Sequence, residues 1–252
     1  MKPVNKQFDG LALCTRYAFM PNKLQYCGGT KDNQLFEYGI RGGSDPFLQS
    51  ILAEFETMYP YLKLIAENNK IQNIFDYRVV EAYWLGNELL QNSNMNKFYW
   101  HLIDNLKLKK KVKLNEFCQI IDKLPRGMLS HHNFHVANIW IKTGHQAITQ
   151  ALTTMDKCRI SWGKVTAVKN FQLQVLSPVL AYQNNRLVLT EPHRIVVNYK
   201  FNDKGFVVPQ INDWISIHWD WACDIITEKQ KNALAFYTQK SLNLANSSVN
   251  KN

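Results

Sequence analysis

No apolar run in the 252-residue chain reaches the roughly 20 residues that a membrane-spanning helix needs. The opening MKPVNKQFDG carries no apolar stretch of the signal-peptide kind, so a cytoplasmic protein is expected. There is no CxxC pair, which argues against a zinc ribbon or finger. The five cysteines, Cys14, Cys27, Cys118, Cys158 and Cys223, are odd in number and scattered. In a cytosolic setting that pattern reads as free thiols, not a disulfide framework. Internal repeats and low-complexity linkers are also missing. The net charge of +10 admits nucleic acid or an acidic protein as partner. No motif that reads DNA or RNA accompanies it, so nucleic acid is disfavoured. The one dense basic run, Lys107 to Lys113, is explained as well by a solvated helix end as by a binding patch.

What is present is enough to build a core: 46% of residues are apolar and 12% aromatic. Residues 1–43 hold many turn formers and little periodicity, and read as an irregular, aromatic-rich segment. Ser44-Asp45-Pro46 is a helix start, a capping side chain followed by proline at the first helical position. Leu48, Ile51, Leu52, Phe55 and Tyr59 then recur at helical spacing, and Pro60 should end that helix or begin the next turn. Asp76 can cap a long helix with Val79, Val80, Tyr83, Trp84, Asn87 and Leu90 inside. Further helical patterns cover 95–106 and 114–124, and the short links suggest an antiparallel bundle. His131 to Trp140 could be strand or helix. From Cys158 onward, short runs rich in β-branched and aromatic residues read as five or so strands of a small barrel. Asn184-Asn185 and Asp203-Lys204-Gly205 suit hairpin turns. Thr227-Glu228-Lys229-Gln230 is a capping box that opens a final helix, and the tail NSSVNKN is expected to be disordered. The expected fold is α+β: a helical domain over 1–156, then a small β-barrel with a C-terminal helix over 157–252.

Cys158 opens the string Cys-Arg-Ile-Ser-Trp-Gly163-Lys164-Val165, and His218 ends Asp213-Trp214-Ile215-Ser216-Ile217-His218. In this spacing, residues 157–246 resemble the HypC/HupF chaperones of nickel–iron hydrogenase maturation. Those are small OB-like barrels that begin with a cysteine, carry Gly-Lys-Val five residues later, and end a strand on a histidine before an acidic helix start. The resemblance implies that Cys158 and His218 hold an iron carrying cyanide and carbon monoxide. It also implies a hydrogenase large subunit or a maturation scaffold as partner. Three departures stand out: Cys158 is internal, Trp162 replaces the usual proline, and Asn212 replaces the usual glycine. Both residues also have a plain structural reading, a buried thiol and a hydrogen-bonded rim histidine. Taken whole, the chain resembles an uncharacterised family of archaeal and bacterial proteins, on the CxRYAFxPNxLxYCG, YPYLKLIA, VVEAYWLGN, HHxFHV and CRISWGKV patterns.

A second candidate is His131-His132-Asn133-Phe134-His135. On a helix, His131 and His135 share a face at i,i+4, a metal-ligand spacing, although no glutamate base of the HExxH kind accompanies them. On a strand they share one face, with His132 on the other. His145 could add a ligand, and Cys27, beside Gly28-Gly29, could complete a mixed Cys/His metal site. Glu81 reads as a structural polar residue, with Arg16 or Arg78 as its partner if it is buried. The leading expectation is a metallocentre-assembly chaperone or carrier, not an enzyme, binding iron through Cys158 and His218. The alternatives are a metal-dependent enzyme with a His/Cys site between the two parts, and a basic nucleic-acid-binding barrel. In the last, Trp162, Trp214 and Trp219 would be stacking platforms.

Overall fold

The computed structural model describes residues 9–140 and 148–247, an α+β arrangement of helices, a mostly sheet region and a C-terminal helix. His145 and the last five residues of the tail lie outside the described residues.

Between residues 9 and 43 the chain is largely helical, not irregular as expected. Helix α1 spans Gly10–Lys23, with Asp9 accepting from the Leu11 amide at 3.0 Å, and α2 spans Asp32–Arg41, closed by Gly42 in the left-handed region. Polar residues on a buried helix hid the pattern. Thr15 donates to its own helix at Leu11 O (2.8 Å), and Arg16 reaches Asp224 of the sheet at 2.7 Å. Leu13, Tyr17 and Ala18 meanwhile face the core. Helix α3 (Pro46–Ala53) starts as expected, with Asp45 accepting from the Leu48 amide at 2.8 Å. Pro60 sits in the first turn of α4 (Met58–Asn68), where a missing amide costs nothing.

The long helix expected after Asp76 is instead α5 (Tyr77–Trp84), eight residues in length. It stops at Gly86, whose φ of 87° only glycine adopts easily, and where a Cβ would lie 2.1 Å from the Tyr237 ring. A 3-10 turn over Glu88–Gln91 then carries Leu90 into the core. Short helices α6 (Met95–Trp100), α7 (Leu108–Lys111), α8 (Leu114–Ile121), α9 (Leu124–Gly127) and α10 (His132–His135) follow. The expected helical run over 95–106 is present, because a π-helical segment, His101–Asn105, continues α6; the others are pieces of one to two turns. Residues 132–140 are helical, α10 running into a π turn at Val136–Trp140. Helix α11 (Ile148–Cys158) ends on Cys158, so that residue closes a helix and does not open a strand.

Strands β1 (Ser161–Lys169), β2 (Gln172–Ser177), β5 (His193–Asn198), β6 (Trp214–His218) and β7 (Trp221–Ile226) pair in a closed order, β1-β2-β5-β7-β6. All contacts are antiparallel except β5–β7, which meet in parallel at Asn198 and Trp221. β3 (Leu180–Gln183) and β4 (Arg186–Leu189) form a separate hairpin, turned by Asn184 and Asn185, both with positive φ as a tight hairpin turn demands. The second turn sits one residue earlier than expected, at Asn202-Asp203. Helix α12 (Glu228–Asn246) opens with the anticipated capping box, Thr227 with Gln230.

The helices cover the sheet, which explains why β6 is buried on both faces. Ser216 and His218, two apart, turn toward α1, where Ser216 Oγ meets Tyr17 Oη at 2.8 Å. One buried cluster runs from Leu13 to Leu244 and includes residues on both sides of position 157. Gly163 shows how tight the β1–β2 contact is. An added Cβ would lie 2.1 Å from Val175 Cγ1 and 2.9 Å from the Leu176 carbonyl oxygen. Gly163→Ala should therefore cost about 1–3 kcal/mol by overpacking, read as a lower urea midpoint at unchanged slope.

Candidate metal centre

Three segments far apart in sequence meet at one point. Asn133 of α10 clamps the stretch after α11: its Oδ1 accepts from the Ile160 amide (2.7 Å), while its Nδ2 donates to Ile160 O and to Thr238 Oγ1 of α12 (both 2.8 Å). Arg159 fixes the same stretch from the other side, donating to Asp156 Oδ1 (2.8 Å) and Pro178 O (2.7 Å). Cys158 is thereby held against His132. The β6–β7 turn brings His218. Trp219 and Asp220 both take positive φ, and the Trp219 amide donates to Lys157 O at 2.8 Å, tying the turn to the end of α11. A tryptophan in the left-handed region is strained backbone, kept only where its surroundings enforce it.

The outcome is a group of His132, Cys158 and His218 whose potential ligand atoms all lie within 4.8 Å of one another. His132 Nε2 is 4.0 Å from Cys158 Sγ. His218 donates from Nδ1 to the Tyr17 carbonyl at 2.8 Å, which fixes its tautomer and leaves Nε2 as a bare acceptor. That Nε2 is buried without a hydrogen-bond partner among the described residues. His132 donates from Nε2 to Cys158 O (2.8 Å) and accepts at Nδ1 from the Tyr83 hydroxyl (3.2 Å). To offer Nε2 as a ligand, its proton must sit on Nδ1, where the Tyr83 oxygen can accept it.

Burial keeps the imidazoles neutral: it lowers His132 to about 4 and His218 to about 3. The Cys158 thiol is raised well above the usual range, by desolvation first and then by the charge of Cys27, while the Trp219 indole N–H acts the other way. The free site is thus uncharged, and a bound cation must displace the thiol proton. Soft sulfur plus two imidazoles suit a transition metal and disfavour magnesium or calcium. The group opens on a cavity of about 520 Å³. Cys27, Glu54, Tyr83, Trp84 and His135 from before position 157 line it, together with Trp219.

Cys158 and His218, paired on sequence grounds, are brought together. His131 is not with them. It accepts from the Asn133 amide at Nδ1 (3.2 Å) and stacks on Tyr237, on the far side of α10. The i,i+4 spacing failed because His131 precedes the helix in extended backbone, so it shares no helical face with His135. His135 lines the cavity and contacts Tyr61 Oη at 3.3 Å, outside the three-residue group. Cys27 is exposed to solvent on the cavity rim, although desolvation by the atoms around it raises its thiol to about 11. Sequence reasoning did not single out His132 as a member of the group. Its signal was the histidine-rich string itself, but only the tertiary fold shows which histidine turns to Cys158. Glu81 is held by Asn87 (2.9 Å) and Gln230 (2.7 Å), not by either arginine. Trp162 and Trp219 are buried at 7% exposure each, which removes them as stacking platforms, and half-buried Trp214 lies under Lys164 and Lys231. Among the described residues no helix is long and apolar enough to cross a membrane.

Five histidines share one electrostatic fate. Burial depresses His101 and His132 to about 4, and His131, His135 and His218 to about 3, from 6.5. A depressed imidazole binds its proton more readily in the unfolded chain. The stability from keeping it neutral is whole above about pH 6.5 and is lost as pH falls toward 3–4. Between pH 7 and pH 5 the urea midpoint should drop by the equivalent of several kcal/mol. A flat midpoint over that range would show that these rings are not held neutral.

No curated protein and no solved structure matches the chain. Residues 6–252 match a family described as "Family of unknown function (DUF6390)", and the chain belongs to that family.

Proposed function

We propose that this protein is a metal carrier or metallocentre-assembly chaperone acting in nickel–iron hydrogenase maturation. Cys158, His218 and His132 hold its cargo, an iron fragment bearing cyanide and carbon monoxide. The observation that carries the reading is the group of one thiol and two neutral imidazoles within 4.8 Å. It gains support from the buried, unpartnered Nε2 of His218 and from a cavity far larger than a bare ion, with room for diatomic ligands. The closed strand order followed by a helix agrees with the HypC/OB-like resemblance, and the cytoplasm and a hydrogenase large subunit or scaffold partner come with it. Three protein donors leave coordination positions open for a client's ligands, as transfer requires.

The test is infrared spectroscopy with metal analysis on protein purified without oxygen from cells making a nickel–iron hydrogenase. Iron accompanied by cyanide and carbon monoxide bands is expected. A protein with no metal overturns the reading. Metal without those bands favours the second reading, a metal-dependent enzyme. The specific observation behind that one is the same open coordination facing a substrate-sized cavity lined from both halves of the chain.

A further inference from the structure

We propose that Cys27 is the exchange ligand of the site, the sulfur through which a metal ion passes between solvent and the His132–Cys158–His218 group. The inference rests on the metal-binding part of the reading above and concerns how that site is filled and emptied.

Cys27 and the three donors line one cavity, but at different depths. The two histidines are 8% and 1% exposed, Cys158 is half-buried, and Cys27 is open to solvent. An ion arriving from outside meets Cys27 first. The cavity is also biased toward cations. The chain carries +10 overall, yet the lining holds Glu54 and Glu56 and, among the described residues, no lysine or arginine. Three protein donors leave one corner of a tetrahedron free, which a fourth sulfur can occupy in passing. The position of Cys27 is set on purpose by neighbours. Asn22 Nδ2 donates to the Cys27 carbonyl (3.0 Å) and to the Gly29 carbonyl, and Tyr26 stacks on Trp219 at 4.2 Å, next to His218. Cys27 lines the same cavity as Cys158, yet it lies outside the 4.8 Å group. That placement fits a transient ligand and not a permanent fourth one.

The exchange balances without redox chemistry. Cys27 gives its thiol proton to water as its sulfur bonds to a divalent ion. Cys158 then does the same, and Cys27 takes a proton back as its own bond breaks. One proton is released per ion taken up, and release runs the sequence backward.

The experiment uses the whole chain loaded with one Co²⁺ and mixed with excess EDTA, following the decay of sulfur-to-cobalt absorption. Cys27→Ser should slow release at least about tenfold while leaving cobalt affinity within about threefold of wild type. Cys118→Ser, which removes an exposed thiol outside the cavity, should behave as wild type. Unchanged release from Cys27→Ser overturns the inference and leaves the metal site standing. A fall in affinity of about a hundredfold also overturns it, by making Cys27 a permanent ligand. A wild type that shows no sulfur-to-cobalt absorption overturns both the inference and the metal-binding reading.

Discussion

On the proposed metal-binding reading, Cys158→Ala is expected to lower the affinity for Co²⁺ by more than about 100-fold, beyond the 10–100-fold that loss of an outer-shell partner costs. The thiol is the site's only group that becomes anionic on binding, so its removal takes away both a bond and the charge that neutralises the cation. The fold should survive. Cys158 is half-buried at a helix end, and Arg159, Asn133 and the Trp219 amide fix that end through other atoms. A stability change within about 1 kcal/mol is expected, as for a small truncation. Competition titration gives the first number and urea unfolding the second. A variant that folds and still binds cobalt as tightly as wild type would remove Cys158 from the ligand set.

Asn133→Leu should give the opposite result, a weakened fold with His132, Cys158 and His218 all still present. Its amide makes three buried hydrogen bonds of 2.7–2.8 Å, joining α10, the α11–β1 junction and α12. Leucine keeps the volume and strands the Ile160 amide and carbonyl in the core. Each orphaned group costs about 1–3 kcal/mol, so about 3–5 kcal/mol in total is expected. For a chain of this size that lowers Tm by about 10 °C. Differential scanning calorimetry checks it, and a shift below about 3 °C would mean the three bonds are replaced by others.

The helix starts at Asp45 and Thr227, the Asn184-Asn185 turn and the β-rich run from β1 to β7 were legible because each is a local signal. Helix α1 was not, because Arg16 and Thr15 look like solvated residues until Asp224, 208 positions away, and the Leu11 carbonyl take them up. The pairing of Cys158 with His218 could be read from motif order. The third member of the group, His132, could not. His131, His132 and His135 are chemically alike in sequence, and which of them faces sulfur depends on where the short helix α10 begins. The His131 ring caps that start locally, and Asn133, reaching Ile160 and Thr238, ties the helix to the Cys158 segment, a tertiary event.

The bond from His218 Nδ1 to the Tyr17 carbonyl spans 201 positions, nearly the whole chain. Until helix α1 packs on the sheet, the imidazole is free to present either nitrogen. The orientation of His218, and with it the geometry of the whole group, is therefore a late product of folding, fixed by a carbonyl 201 positions upstream and by nothing local to β6.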